Sequence, residues 1–220
     1  YHVDVVVSDI RMPNMNGVDL FKKVLSSESI SPKFLLASGY SDRSPKYLYD
    51  LGVDGFLSKP FDMEHLLNEV KDAVLPLEQR WSRLPNTTDL SVTCNFNTLS
   101  DSFYGMQLLI GKLGFYLFAE RNDLCEGDLL QFDISFKDEV IPMQIMGTGV
   151  IIWVNQSEKE DQCMGMGVKT LCLNKDSRQL VLGLLDVLKP TSTIPAGGHE
   201  WAKKSSMSLQ TIDIKNRFAS

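Results

Sequence analysis

Three short apolar runs near the start of the chain are continuous rather than alternating: Val3 to Val7 apart from Asp4, Phe34-Leu35-Leu36-Ala37, and Gly55-Phe56-Leu57. A strand of an exposed sheet alternates apolar and polar residues, whereas one apolar on both faces must be covered on both. Between these runs lie helical patterns: Val18, Phe21, Val24 and Leu25, then Tyr47, Leu48 and Leu51. A third helix is expected after Asp62, a residue type that caps helix N-termini. It carries Met63, Leu66, Leu67, Val70, Ala73 and Val74 on one face. Gly52 stands where a helix C-terminus needs a left-handed residue. Strand, helix, strand, helix, strand, helix defines a doubly wound α/β unit over residues 1–76.

Beyond Pro76 the texture changes. Residues 77–89 read as a linker. Segments around Leu90–Phe96, Met106–Ile110, Phe115–Phe118, Leu129–Phe136, Val140–Trp153 and Met164–Leu173 read as strands separated by polar turns. A helix bearing Leu180, Val181, Leu184, Leu185 and Leu188 follows and stops at Pro190. The expectation is a small six-stranded β-barrel with a C-terminal helix over 90–189. The tail 190–220, rich in Ser, Thr, Lys and Gly, is expected to be disordered or to dock through Trp201 and Phe218.

With 28 acidic and 22 basic residues and a net charge of −6, the chain lacks the basic excess of a general nucleic-acid binder. No run approaches the ~18 apolar residues of a membrane span, so a cytoplasmic location is expected. The four cysteines form no CxxC pair and the three histidines are scattered, so no zinc spacing exists. Nothing in the barrel segment pairs a nucleophile with a base, and the expectation is a non-enzymatic protein.

In a doubly wound sheet the chemistry lies at the carboxyl ends of the strands. Asp9, Ser38 and Lys59 each follow one of the apolar runs, so a carboxylate, a hydroxyl and an ammonium converge on one edge. Such a set can accept a phosphoryl group: the carboxylate as nucleophile, the other two pairing with phosphoryl oxygens. The bland reading is a structural ion pair between Asp9 and Lys59.

The motif context resembles a known family. Asp9-Ile10-Arg11-Met12-Pro13-Asn14-Met15-Asn16-Gly17, Ser38-Gly39-Tyr40 and Lys59-Pro60-Phe61 resemble, in order, three motifs of response-regulator receiver domains. They correspond to the phosphoacceptor loop, the switch segment, and the lysine followed by a cis-prolyl bond. The resemblance implies that Asp9 is phosphorylated by a sensor histidine kinase or other phosphodonor, with Ser38 and Lys59 as phosphoryl partners. It also implies Phe56 as the aromatic switch, and Asp9 with the Arg11 backbone carbonyl as magnesium ligands. The family's first strand, with its acidic pair, and the helix and second strand that follow it are not in this sequence; magnesium binding is expected only if that segment exists natively. The exposed edge it would cover makes a homodimer an expectation.

The second half resembles a PilZ domain, a bacterial module that often binds cyclic di-GMP. The resemblance rests on Gly114-Phe115-Tyr116-Leu117, on Glu126 to Phe132, and on Gly149 to Val154 with Met166 to Lys169. The family's RxxxR and [D/N]xSxxG ligand motifs are degraded here. Only Arg80 and Arg83, spaced RxxR, and the glycines of Leu109-Ile110-Gly111-Lys112-Leu113-Gly114 remain. The resemblance therefore implies a two-component signalling protein whose degenerate PilZ domain is an adaptor for a downstream protein partner. The alternative is a cyclic di-GMP receptor using Arg80, Arg83, Gly111 and Gly114. Lys112, Arg121 and Lys169 are further candidates for an anion site.

Overall fold

The computed structural model describes residues 2–27, 32–39, 44–82, 88–119, 123–137, 143–155 and 165–197. The first unit runs β1 (Val5–Asp9), α1 (Gly17–Leu25), β2 (Lys33–Ser38), α2 (Pro45–Leu51), β3 (Gly55–Ser58) and α3 (Met63–Val74). The strands form one parallel sheet in the order β1-β2-β3. Because crossover helices cover both faces, Phe34 and Leu36 face Val18, Phe21 and Leu48 of α1 and α2, while α3 packs on the opposite side. This is the doubly wound pattern expected from the continuous apolar runs.

The local signals act as their chemistry requires. Asp62 accepts the His65 amide at 2.7 Å, and Gly52 ends α2 at φ 106°. The Lys59–Pro60 bond is cis. The helical stripes are narrower than their sequences suggest. Leu25, Met63, Leu67 and Val74 remain largely exposed, and in α3 only Ala73 is fully buried.

The segment read as a linker is partly structural. Residues 77–80 form α4 (Leu77–Arg80), and Trp81 after it is 1% exposed inside the core of the second unit. That unit comprises β4 (Ser91–Phe96), α5 (Leu99–Tyr104), β5 (Leu108–Ile110), β6 (Gly114–Leu117), β7 (Leu129–Phe136), β8 (Met143–Asn155), β9 (Gly165–Leu173) and α6 (Lys175–Leu188). The six strands lie close to their expected places. The curled sheet has the order β4-β7-β8-β9-β6-β5, antiparallel except for β4 beside β7. The six-stranded sheet is thus present as expected, and among the described residues β4 and β5 stand at the two ends of its ladder. The unforeseen helix α5 joins them and packs on both.

The start of the tail is ordered. Thr191–Ala196 runs back across the first unit, where the Thr193 hydroxyl lies within hydrogen-bonding distance of the Tyr49 (2.9 Å) and Val53 (2.7 Å) carbonyls and donates its one proton between them. Trp201 and Phe218 lie outside the described residues.

Candidate functional site

The carboxyl edge of the three-stranded sheet carries the candidate site. Register fixes it: Asp9 lies beside Ala37 at the end of β1 and β2, and Ser38 beside Ser58 at the end of β2 and β3. Lys59, the next residue, donates its backbone amide to the Ser38 carbonyl at 2.8 Å. That bond holds the lysine at the edge, and its Nζ pairs with Asp9 Oδ2. The Arg11 amide donates to Asp9 Oδ1 at 3.3 Å. The hydrogen bond from Lys59 is the main reason that the Asp9 pKa lies below the ordinary carboxylate value; burial opposes it and the Arg11 amide assists.

Both side chains stay reachable, with Asp9 37% and Lys59 42% exposed, so a donor can approach the carboxylate from solvent. Ser38 is different. It is fully buried, and its hydroxyl donates to the Gly39 carbonyl at 2.8 Å. Three of the sequence-derived residues therefore meet at one edge, while Tyr40, beside Ser38, lies outside the described residues. Asp9 and the Arg11 carbonyl are two oxygen donors of the kind magnesium takes, an ion that usually keeps several waters and binds through one or two carboxylates. Among the described residues no group of three or more His, Cys, Asp or Glu side chains could hold a metal.

Phe56 lies within β3, two residues before the strand ends at Ser58, and packs in two clusters. One is the core of the first unit with Phe34 and Leu36; the other is a contact cluster of Tyr49, Leu113, Trp153 and Ile194. The second cluster is the interface between the two units. Tyr49 stacks on Trp153 with ring centroids 6.4 Å apart. Beside them Lys169 of β9 donates to both Glu69 oxygens of α3, at 3.0 and 3.1 Å, with side chains 15% and 16% exposed. Burial pulls the Lys169 pKa down, but Tyr49 and the Glu69 and Asp72 carboxylates more than offset it, so the value lies above ordinary lysine. Burial raises the Tyr49 pKa. Lys169 is thus committed to an ion pair, which corrects its reading as part of an anion site; Arg121 lies outside the described residues.

The nucleotide-binding candidates sit as follows. Arg80 donates from Nε to the Leu75 carbonyl at 2.8 Å and from a terminal nitrogen to the Ala73 carbonyl, closing the end of α3. Burial lowers its pKa. Arg83 lies outside the described residues. A Cβ on Gly111 would fall 2.5 Å from the Thr193 carbonyl oxygen, and one on Gly114 only 1.9 Å from that of Val168. Both glycines permit close backbone approach within the chain. The loop between them donates the Lys112 amide to Ser192 O (3.2 Å) and the Leu113 amide to Thr193 O (2.8 Å). The interface residues Tyr49, Glu69 and Trp153 were not singled out from sequence. The signal for Tyr49 is weak, a lone aromatic one position from the expected helix stripe.

The comparisons with known proteins agree with the first unit. Residues 1–71 match the response regulator receiver domain family, and this part of the chain is a receiver-domain segment. The chain is similar to a probable transcriptional regulator, ycf29, of Pyropia yezoensis, 38% identical over 77 residues, 34% of each chain. It is similar to the uncharacterized transcriptional regulatory protein YesN of Bacillus subtilis, 30% identical over 77 residues, 34% of this chain and 21% of that one. To the response regulator ArlR of Staphylococcus aureus it is 23% identical over 128 residues, 56% of this chain and 55% of that one. The chain spans about a third of the length of the first two relatives it matches. No solved structure matches it. Among the described residues no helix is long and apolar enough to cross a membrane.

Proposed function

We propose that the chain is a two-component signalling switch in which Asp9 accepts a phosphoryl group and the six-stranded unit is its output. The observation that carries this reading is the meeting of Asp9, Lys59 and Ser38 at the carboxyl ends of three parallel strands. In the step proposed, an Asp9 oxygen attacks the phosphorus of a phosphohistidine on a sensor kinase. The new O–P bond forms as the N–P bond breaks, and the imidazole leaves and takes a proton. Lys59, freed from the carboxylate it now pairs with, follows the charge onto a phosphoryl oxygen. Ser38 would have to turn its hydroxyl away from Gly39 to do the same. Any divalent cation would need donors beyond Asp9 and Arg11.

The output reading follows from what the second unit offers. We assign it as a degenerate PilZ-like adaptor that acts on another protein, in the cytoplasm and without enzymatic activity. The names of two relatives describe transcriptional regulators, but the similarity to them is confined to 77 residues and does not carry a DNA-binding output here. A net charge of −6 also disfavours one. Cyclic di-GMP would find the amides of Lys112 and Leu113 and the Arg80 guanidinium already bonded within the chain.

The test is labelling by a small phosphodonor with magnesium present. In a native protein that includes the receiver segment bearing the acidic pair, the expected result is incorporation into the unmodified protein and none into Asp9→Asn. Undiminished labelling of the variant overturns the assignment. Titration with cyclic di-GMP separates the output readings: saturable binding would make the sheet a nucleotide receptor.

A further inference from the structure

The residues after α6 are bound more tightly than a tail needs to be. From Thr191 to Ala196 the chain lies in a cleft with the receiver segment on one side and the loop Gly111–Gly114 on the other. On the receiver side Ser192 Oγ donates to the Asp50 carbonyl (2.9 Å) and approaches Asp50 Oδ1 (3.1 Å), while the Ala196 amide donates to the same carboxylate at 2.9 Å. Thr193 contributes the two hydroxyl contacts described above and donates its own amide to Tyr49 O at 2.9 Å. On the sheet side its carbonyl and that of Ser192 take the amides of Leu113 and Lys112. Ser192, Thr193 and Ile194 are all buried, at 2%, 1% and 0% exposure.

The strap therefore bonds to both units at once, and Ile194 joins Tyr49, Leu113 and Trp153 in the contact between them. The α2 carbonyls of Tyr49 and Asp50 lie at the last turn of a helix, where partners outside the helix are needed. Gly111 is small where Thr193 passes, so the loop is shaped to the strap. Two polar side chains fully removed from water, each with partners, mark a built contact rather than chance adherence.

We propose that Thr191–Ala196 is an interdomain clasp: it holds the receiver segment closed on the six-stranded sheet, and its release uncovers the face formed by Tyr49, Phe56 and Glu69. The clasp lies beyond the helix that completes the second unit, so it can lift without unfolding either core. It is independent of whether Asp9 takes a phosphoryl group, since no contact in it involves the carboxyl edge.

The experiment compares hydrogen exchange in the whole chain, in a chain ending at Gly197, and in a chain ending at Lys189. The Gly197 chain keeps the clasp and should match the whole chain. In the Lys189 chain the amides of Lys112 and Leu113 should exchange roughly tenfold faster or more, as loss of their acceptors implies. The amides at Leu36 in β2 and Ile134 in β7 should keep their protection, showing that both cores remain folded. The double variant Ser192→Ala with Thr193→Val keeps the strap and removes only its hydroxyl contacts; it should raise the same two exchange rates, by less. Small-angle scattering should show the Lys189 chain expanded. Unchanged exchange at Lys112 and Leu113 in both the truncation and the double variant overturns the proposal, as does unchanged size. Collapse of protection throughout the Lys189 chain would make the strap part of the fold and likewise overturn it.

Discussion

Trp81→Ala measures how far the segment between the two units belongs to the second. Trp81 is 1% exposed and borders a void of about 20 Å3 with Leu108, Phe115, Phe132, Ile145 and Val181. Its carbonyl accepts the Leu173 amide at 3.0 Å, tying the residue to the end of β9. A buried tryptophan removes ~150–250 Å2 from water. At ~25 cal/mol per Å2 that is roughly 4–6 kcal/mol. Measured truncations of large aromatics cost about 3–5 kcal/mol, and the existing void leaves little for neighbours to collapse onto. A loss of ~4 kcal/mol should lower the melting temperature of the second unit by roughly 15–20 °C. The assay is denaturant and thermal unfolding followed by circular dichroism. Trp81→Phe, which keeps an aromatic plug, should lose less than half as much. A loss below ~1 kcal/mol for Trp81→Ala would show that residues 77–89 are the passive linker read from sequence, and that the burial is incidental.

Gly114→Ala drives a Cβ to 1.9 Å from a backbone oxygen of β9, so it should destabilise the sheet whether or not any ligand is added; a melt matching wild type would refute the packing role. Lys169→Met leaves the Glu69 carboxylate without its partner and should cost about 3–5 kcal/mol, whereas adding Glu69→Leu should recover most of it; additive losses would refute a coupled pair. Because the folded Lys169 pKa is raised, the contribution of the pair should be complete below the ordinary lysine value of 10.5 and disappear as pH rises through the folded value, read from stability against pH. The Asp9 pKa is lowered, so its contribution should be present above the ordinary value of 3.8 and fade as pH falls through the folded value; Lys59→Met should restore an ordinary titration in carbon-detected NMR.

What the sequence disclosed depended on the range of the interactions. The parallel strands were readable because residues such as Leu35 and Leu57 must be apolar wherever both faces are covered, and Asp62 and Gly52 act on their own helix ends. Convergence of Asp9, Ser38 and Lys59 followed from strand order, since parallel strands place their carboxyl ends together. The interface did not. Nothing local to Tyr49, Glu69, Trp153 or Lys169 shows that they meet, because their pairing depends on how two independently patterned units dock. Trp81 was lost in a polar stretch for the same reason: its partners lie on strands that follow much later. The strap was read as tail because Ser, Thr and Pro make a poor core, yet here their hydroxyls and carbonyls bond across two units. α5 was missed because six residues are too few to display a helical period.

The route from the carboxyl edge to the interface is short. Lys59 follows β3 directly, and Phe56, within that strand, packs into both the receiver core and the contact cluster. Phosphorylation can bias docking only if the closed and open states contact the modified edge differently, and Phe56 is positioned to transmit that difference. The magnitudes limit how. Coupling between sites is commonly ~1–3 kcal/mol, whereas stranding one partner of a buried ion pair costs about 3–5 kcal/mol. A motion that pulled Lys169 away while leaving Glu69 covered would therefore exceed what the carboxyl edge can supply. Hinging that admits water to both ions together returns the solvation of each, and its cost falls within that range. Opening of these two units should accordingly expose Lys169 and Glu69 in one step, with the strap as the remaining restraint.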